Sequence, residues 1–89
     1  MAFNARNLSV IAYANGFTLW HYTSPDAASD IDTSGYFDTA SEMLRVGDMI
    51  LANVATETSP GAGIFLVKTN SGGSVDVADM TVVGGSDTD

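Results

Sequence analysis

His21 is the only histidine in this sequence, and no other side chain ordinarily titrates near neutral pH in a cysteine-free chain. Any general acid–base chemistry would therefore fall to it. Ser24 and Asp26 follow closely, and Ser, His and Asp are the residue types of a nucleophilic triad. A triad is an arrangement in space, however, and proximity along the chain does not supply it. No G-x-S-x-G element is present to expose a serine at a strand-to-helix turn. His21 thus reads as a structural residue of a strand, between the aromatic neighbours Trp20 and Tyr22, and no catalytic residue is assigned. Asp26, Asp30 and Asp32 form an acidic loop. Calcium takes oxygen ligands at close spacing, but the glycine and terminal glutamate of an EF-hand are missing. Solvated carboxylates are the expected reading, with a weak calcium site as the alternative; no metal or cofactor is assigned. Gly61, Gly63, Gly72 and Gly73 lack the following helix and lysine of a phosphate cradle and read as turns.

The remaining residues with chemical character are aromatic. Phe17, Trp20, Tyr22, Tyr36 and Phe37 would suggest single-stranded nucleic acid on a basic sheet. Here the chain is acidic: eleven Asp and Glu stand against Arg6, Arg45 and Lys68, a formal charge of −8. Three scattered bases cannot release the counterions that nucleic-acid binding requires, and an anionic membrane surface is disfavoured for the same reason. Phe17, Trp20, Tyr22 and Tyr36 are therefore expected near the boundary between core and a protein interface. Trp20 is the principal anchor, since Trp and Tyr are enriched at interface hot spots.

The elements that must position these residues follow from pattern. Leu8–Tyr13 and Phe17–Tyr22 are strands about Asn15-Gly16, the strongest short hairpin signal. Both faces of the second strand carry large side chains, so both are expected to be covered. Thr23–Thr33 reads as a loop. Phe37, Ala40, Met43 and Leu44 recur at helical spacing, which predicts a short helix over about Ser34–Arg45, closed by Val46-Gly47-Asp48. Met49–Val54, Ile64–Thr69 and Val75–Val83 are strands, with a tight turn at Gly72-Gly73. The predicted fold is mainly β: a small barrel or sandwich with an N-terminal hairpin and one short helix. Residues 1–89 form one domain, with 1–6 and 84–89 expected as flexible arms. Such a chain buries only roughly 60–65% of its unfolded surface, and without cysteine it has no disulfides, so association with another body is expected. No run reaches the ~20 apolar residues of a membrane span, and Asn4, Asn7 and Ser9 interrupt any signal-peptide pattern. Synthesis in the cytoplasm is expected.

The stretch from Gly16 to Ile50 resembles small virion proteins of tailed bacteriophages, especially those of alphaproteobacteria. The shared elements are GFTLWHY at Gly16–Tyr22, GYF at Gly35–Phe37, and the GD turn at Gly47-Asp48 with the apolar strand from Met49. The glycine turn before Val75-Asp76-Val77 is also similar. The resemblance implies a non-enzymatic capsid decoration (cement) protein, made in the host cytoplasm and carried on the outer capsid surface of the virion. It would act there as a homotrimer that binds the major capsid protein and stabilises the shell. The alternative is the anchoring module of a head spike or fibre, or a tail module, that recognises a host surface. A small hydrolase built on His21 is a third reading.

Overall fold

The computed structural model describes residues 3–85. The Asn15-Gly16 pair makes the hairpin that its residue types predict. Strands β1 (Leu8–Ala14) and β2 (Phe17–Thr23) pair antiparallel, from Ala14 opposite Phe17 to Leu8 opposite Tyr22. Gly16 takes the left-handed φ of 76° that the turn requires, whereas Asn15 does not adopt positive φ. The register shifts between Val10 and Ala12, so Ile11 is the extra residue of a bulge in β1.

Strand β3 (Met49–Val54) lies on the other side of β2 and runs parallel to it, with Leu19 opposite Met49 and Thr23 opposite Asn53. Parallel neighbours cannot be joined by a tight turn. Residues 24–48 make the long crossover, which lies over one face of the sheet and is its roof. Strand β4 (Gly61–Ser71) pairs antiparallel with β3. The chain then reverses at Gly72-Gly73 and returns along β4 as β5 (Ser74–Val77) and β6 (Thr81–Val83). The single last strand expected over Val75–Val83 is thus divided at Ala78–Met80. Met80, within that break, packs over Gly63, where a Cβ would run into Met80 and the Thr81 carbonyl.

The architecture is mainly β, with one α-helix, as the strand pattern predicts. The sheet does not close into a barrel: its order is β1-β2-β3-β4-β5, with β6 also on β4. The helix is not where periodicity places it. Helix α1 (Ala28–Ile31) lies within the expected loop, and the segment predicted as helical over Ser34–Arg45 is a series of turns with one 3-10 turn at Asp38–Ala40. The physical reason is competition for backbone groups. The Asn70 side-chain amide donates to the Ser41 and Leu44 carbonyls at 2.7 and 2.6 Å, and Gly35 N–H donates to Val75 O at 3.1 Å. The segment bonds to itself mostly through three-residue turns, such as Asp38 N–H to Gly35 O and Ala40 N–H to Phe37 O, and is tied to β4 and β5 at both ends.

Alternation along the strands sends Trp20, Tyr22, Ile50, Ala52, Val54, Phe65, Val67, Val75 and Val77 to the roofed face. There they meet Ile31, Phe37, Ala40 and Leu44 from the crossover, and all are buried. At the chain's start, Phe3 stacks on Tyr22 with centroids 5.4 Å apart and meets Phe37 edge-on at 5.4 Å. Phe3 and the 3-10 turn Ala5–Asn7 are therefore docked. Of the expected flexible arms, residues 1–2 and 86–89 lie outside the described residues.

Asp48 is the polar centre of this core, 1% exposed. Its Oδ1 accepts Thr18 N–H at 3.1 Å, and its Oδ2 accepts both Trp20 Nε1–H and Arg45 N–H at 3.1 Å. Its carbonyl accepts Val67 N–H at 2.9 Å. A buried carboxylate is tolerated only when donors surround it.

Two predictions follow from these positions. Gly16→Val forces a β-branched residue into positive φ, where nothing lies within 4 Å to clash, so the loss is a backbone effect of about 1 kcal/mol or more. Urea unfolding reads it, and an unchanged midpoint would contradict the turn. Asp48→Ala strips the acceptor from three N–H groups and is expected to cost on the order of 3 kcal/mol or more by the same measurement; a loss below about 1 kcal/mol would show that water replaces the carboxylate.

Candidate functional site

The residues with triad chemistry are not assembled. His21 projects from the unroofed face of β2, and its Nε2 is paired with Asn53 Oδ1 at 2.8 Å, donating to the amide oxygen. Ser24 and Asp26 are buried at the start of the crossover, where the Ser24 hydroxyl accepts Asp26 N–H at 2.9 Å.

Asp26 belongs instead to a polar chain through the core. Tyr36 OH donates to Asp26 Oδ2 at 2.7 Å, and Tyr22 OH lies 2.9 Å from Tyr36 OH. Asn4 N–H donates to Tyr22 OH at 3.1 Å. The carboxylate only accepts and the amide only donates, so Tyr22 donates to Tyr36 and the chain has a single direction. Burial above all, with the bond that Tyr36 donates to the Asp26 carboxylate adding to it, pushes the Tyr36 hydroxyl well above its ordinary pKa of 10.0.

The other two aspartates of the expected acidic loop diverge from Asp26. Asp32 shares a hydrogen bond with Asp79 and lies near Asp76 and Asp30. Among the described residues no three His, Cys, Asp or Glu side chains are placed to hold a metal ion. Gly72 and Gly73 form the β4–β5 turn, while Gly61 and Gly63 lie within β4.

Of the four aromatic residues expected at the boundary of core and interface, Tyr22 is wholly buried and Trp20 is 7% exposed. Both lie on the roofed face. Phe17 and Tyr36 are half-buried, on β2's opposite face and in the crossover respectively. The roof covers one face of β2, where a cover on both was expected.

The face left open is the most distinctive surface of the molecule. Leu19 and His21 of β2 stand beside Met49, Leu51 and Asn53 of β3, and these beside Ala62, Ile64 and Leu66 of β4. Met49 and Leu66 are exposed, 41% and 38%. From Phe17 to Thr23, Met49 to Val54 and Gly61 to Val67 there is no Asp, Glu, Lys or Arg, although the chain carries a formal charge of −8. Two shallow hollows mark this face. One, of about 310 Å³, is lined by Met49, Ile64, Leu66, Ala78 and Thr81, with Asp79 as its one charged residue. The other, of about 250 Å³, is lined by His21, Leu51, Asn53, Ala62 and Val83 among others. Sequence reasoning concentrated on aromatic rings and missed these aliphatic residues. The available signal was that β3 and β4 are apolar at both odd and even positions, as in a strand with two faces to cover.

No family model, curated protein or solved structure matches this chain.

The acidic group gives a pH prediction. Asp32's carboxyl is raised above its ordinary 3.8, chiefly by burial and then by repulsion from and hydrogen bonding to Asp79, with Asp76 and Asp30 adding to it. The folded state therefore binds this proton more tightly than the unfolded state. Its favourable contribution is complete below pH 3.8 and is lost as pH rises through the raised value. Asp79→Asn should leave thermal stability near the wild-type value at pH 3 and raise it at pH 7. A variant less stable than wild type at pH 7 would show that the pair is held by something other than repulsion relieved by a proton.

Proposed function

We propose that this chain is a binding protein without turnover, whose uncharged sheet face seats on a larger protein surface. The observation that carries the reading is that face: largely aliphatic, free of charge from Phe17 to Thr23, Met49 to Val54 and Gly61 to Val67, and unroofed in a molecule whose own core is one layer thick. Burial of such a face against protein is favourable at roughly 25 cal/mol per Å² of apolar area, before the costs of association. The likeness of Gly16–Tyr22, Gly35–Phe37 and Gly47–Leu51 to small phage virion proteins supports a narrower form of the reading. On that form the larger surface is the outside of the major capsid protein of a tailed bacteriophage, the chain sits there as a homotrimer, and its work is to stabilise the shell. The acidic remainder keeps the particle soluble and offers no purchase on nucleic acid or an anionic membrane.

Co-sedimentation with shells assembled from a phage major capsid protein tests this directly. Leu51→Lys and Leu66→Lys place a charge in the face without touching the roofed core. Each is expected to weaken shell binding by about tenfold or more, equivalent to ~1.4 kcal/mol, with the melting temperature nearly unchanged. Full binding by both variants would remove this face from the function. Binding to cell-envelope saccharide with none to shells would replace the decoration reading with host-surface recognition.

A further inference from the structure

The two ends of the sheet differ in a way that bears on how copies of this chain meet. At one end, β1 pairs only with β2, and six of its seven residues are exposed. Val10, Ile11 and Tyr13 are 37%, 49% and 79% exposed. From Leu8 to Pro25 there is no charged residue, and apart from the buried Asp48 the charges placed at this end are Arg6 and Arg45. Arg6 precedes β1, and Arg45 lines, with Met43, a groove of about 540 Å³ beside the hairpin. An edge this long and apolar, with its outer N–H and C=O groups unpaired, is a template for another strand.

At the other end the free edge is β6. β5 is partly capped on its outer side, since Val75 N–H donates to Asp38 Oδ1 at 2.8 Å and Val75 O accepts from Gly35. β6 pairs only with β4, and Val82 and Val83 are 61% and 53% exposed. The charges flanking this end are predominantly acidic: Asp76 and Asp79 on the returning chain, with Asp32 and Asp30 beside them, against the single base Lys68 in the β4 bulge opposite β5.

We infer that copies of this chain associate head to tail, the β1 edge of one against the β6 edge of the next, with Arg6 and Arg45 facing the neighbour's carboxylates. The occupant of the β1 edge is thus a second copy. Charge complementarity selects this arrangement over a two-fold contact of β1 with β1, which would place basic ends together and leave both acidic ends unmatched. A heterologous contact of this kind closes into a ring or runs on as a filament. It supplies the contact between copies in the homotrimer of the proposed function, on which it rests only for the count of three, and it needs no capsid partner.

Sedimentation velocity of the full chain without shells tests it, so failure here is separate from failure to bind a capsid. Ile11→Glu blocks the β1 edge and Val82→Glu the β6 edge. Arg45→Glu and Asp79→Lys are the second pair, at exposed side chains, used if either edge variant loses its far-UV spectrum. Each variant alone is expected to be monomeric, because every contact needs both edges. Mixed in equal amounts, the β1-edge and β6-edge variants should form a dimer and nothing larger, through the one intact edge on each. Wild-type association should weaken as salt rises to about 0.5 M, where the Debye length falls below ~5 Å. A β6-edge variant that associates like wild type, while the β1-edge variant does not, would overturn the head-to-tail contact in favour of β1 with β1. A wild-type chain that stays monomeric at about 100 μM, well above the roughly micromolar range of weak specific contacts, would overturn self-association altogether.

Discussion

Three N–H groups converge on the Asp48 carboxylate, and the placement of the whole sheet depends on that convergence. Thr18 and Trp20 belong to β2, Arg45 closes the crossover, and Asp48 itself leads into β3. The first rung of the parallel ladder, Leu19 opposite Met49, therefore sits between residues held by one side chain. Gly47 makes this possible by turning the chain at φ 96°, so that Asp48 points back beneath β2 while its backbone joins β4 through Val67. Trp20 owes its orientation to the same carboxylate: the indole N–H finds a partner without reaching solvent, and the ring stays with the core.

With β2 and β3 fixed in parallel, the crossover between them must span the sheet, and it does so over one face only. That asymmetry separates apolar from charged residues. Six of the chain's eleven acids lie in residues 24–48, among them Asp30, Asp32, Asp38 and Glu42, while the opposite face of the central strands carries none. The tyrosine chain from Asn4 to Asp26 seals the remaining side of the roof and brings the start of the chain into it. Charged residues and exposed aliphatic surface thereby fall on different layers of the same small domain.

The parts of this fold legible in the sequence are those set by local geometry. Asn15-Gly16 and Gly72-Gly73 mark turns because few other residues fit them, and period-two alternation places Val75 and Val77 inward. The parallel pairing of β2 and β3 has no local signature, since it joins residues about thirty positions apart. The helix expected over Ser34–Arg45 fails for a related reason. Phe37, Ala40 and Leu44 do face the core at the predicted spacing, but Gly35 takes φ 94° near the expected start and Asn70 ties the Ser41 and Leu44 carbonyls to β4, and nothing near them in sequence announces Asn70. Asp48 read only as part of a Gly-Asp turn; its hydrogen-bond partners in β2 lie 28 and 30 residues away. The candidate surface was hidden by its blandness, because Leu51, Ile64 and Leu66 look like core until the roof is seen to cover the other face.

Strand polarity also gives the molecule two unlike poles. β2 and β3 start, and β4 ends, at one pole, which gathers the turns at Gly16, Gly47, Gly72 and Gly73, all at positive φ. The opposite pole holds the two prolines, Pro25 and Pro60, and the exposed stretch from Thr56 to Pro60 that links β3 to β4. Tight turns fix the number of residues as well as their conformation, whereas this link is held mainly at its start, where Ala55 takes φ 49° and donates to Asp26 O, and loop entropy rises only slowly with length. The architecture can therefore lengthen at the proline pole and is closed to insertion at the glycine pole, so that homologous forms of this domain would differ in size on one side of the sheet and keep the other constant.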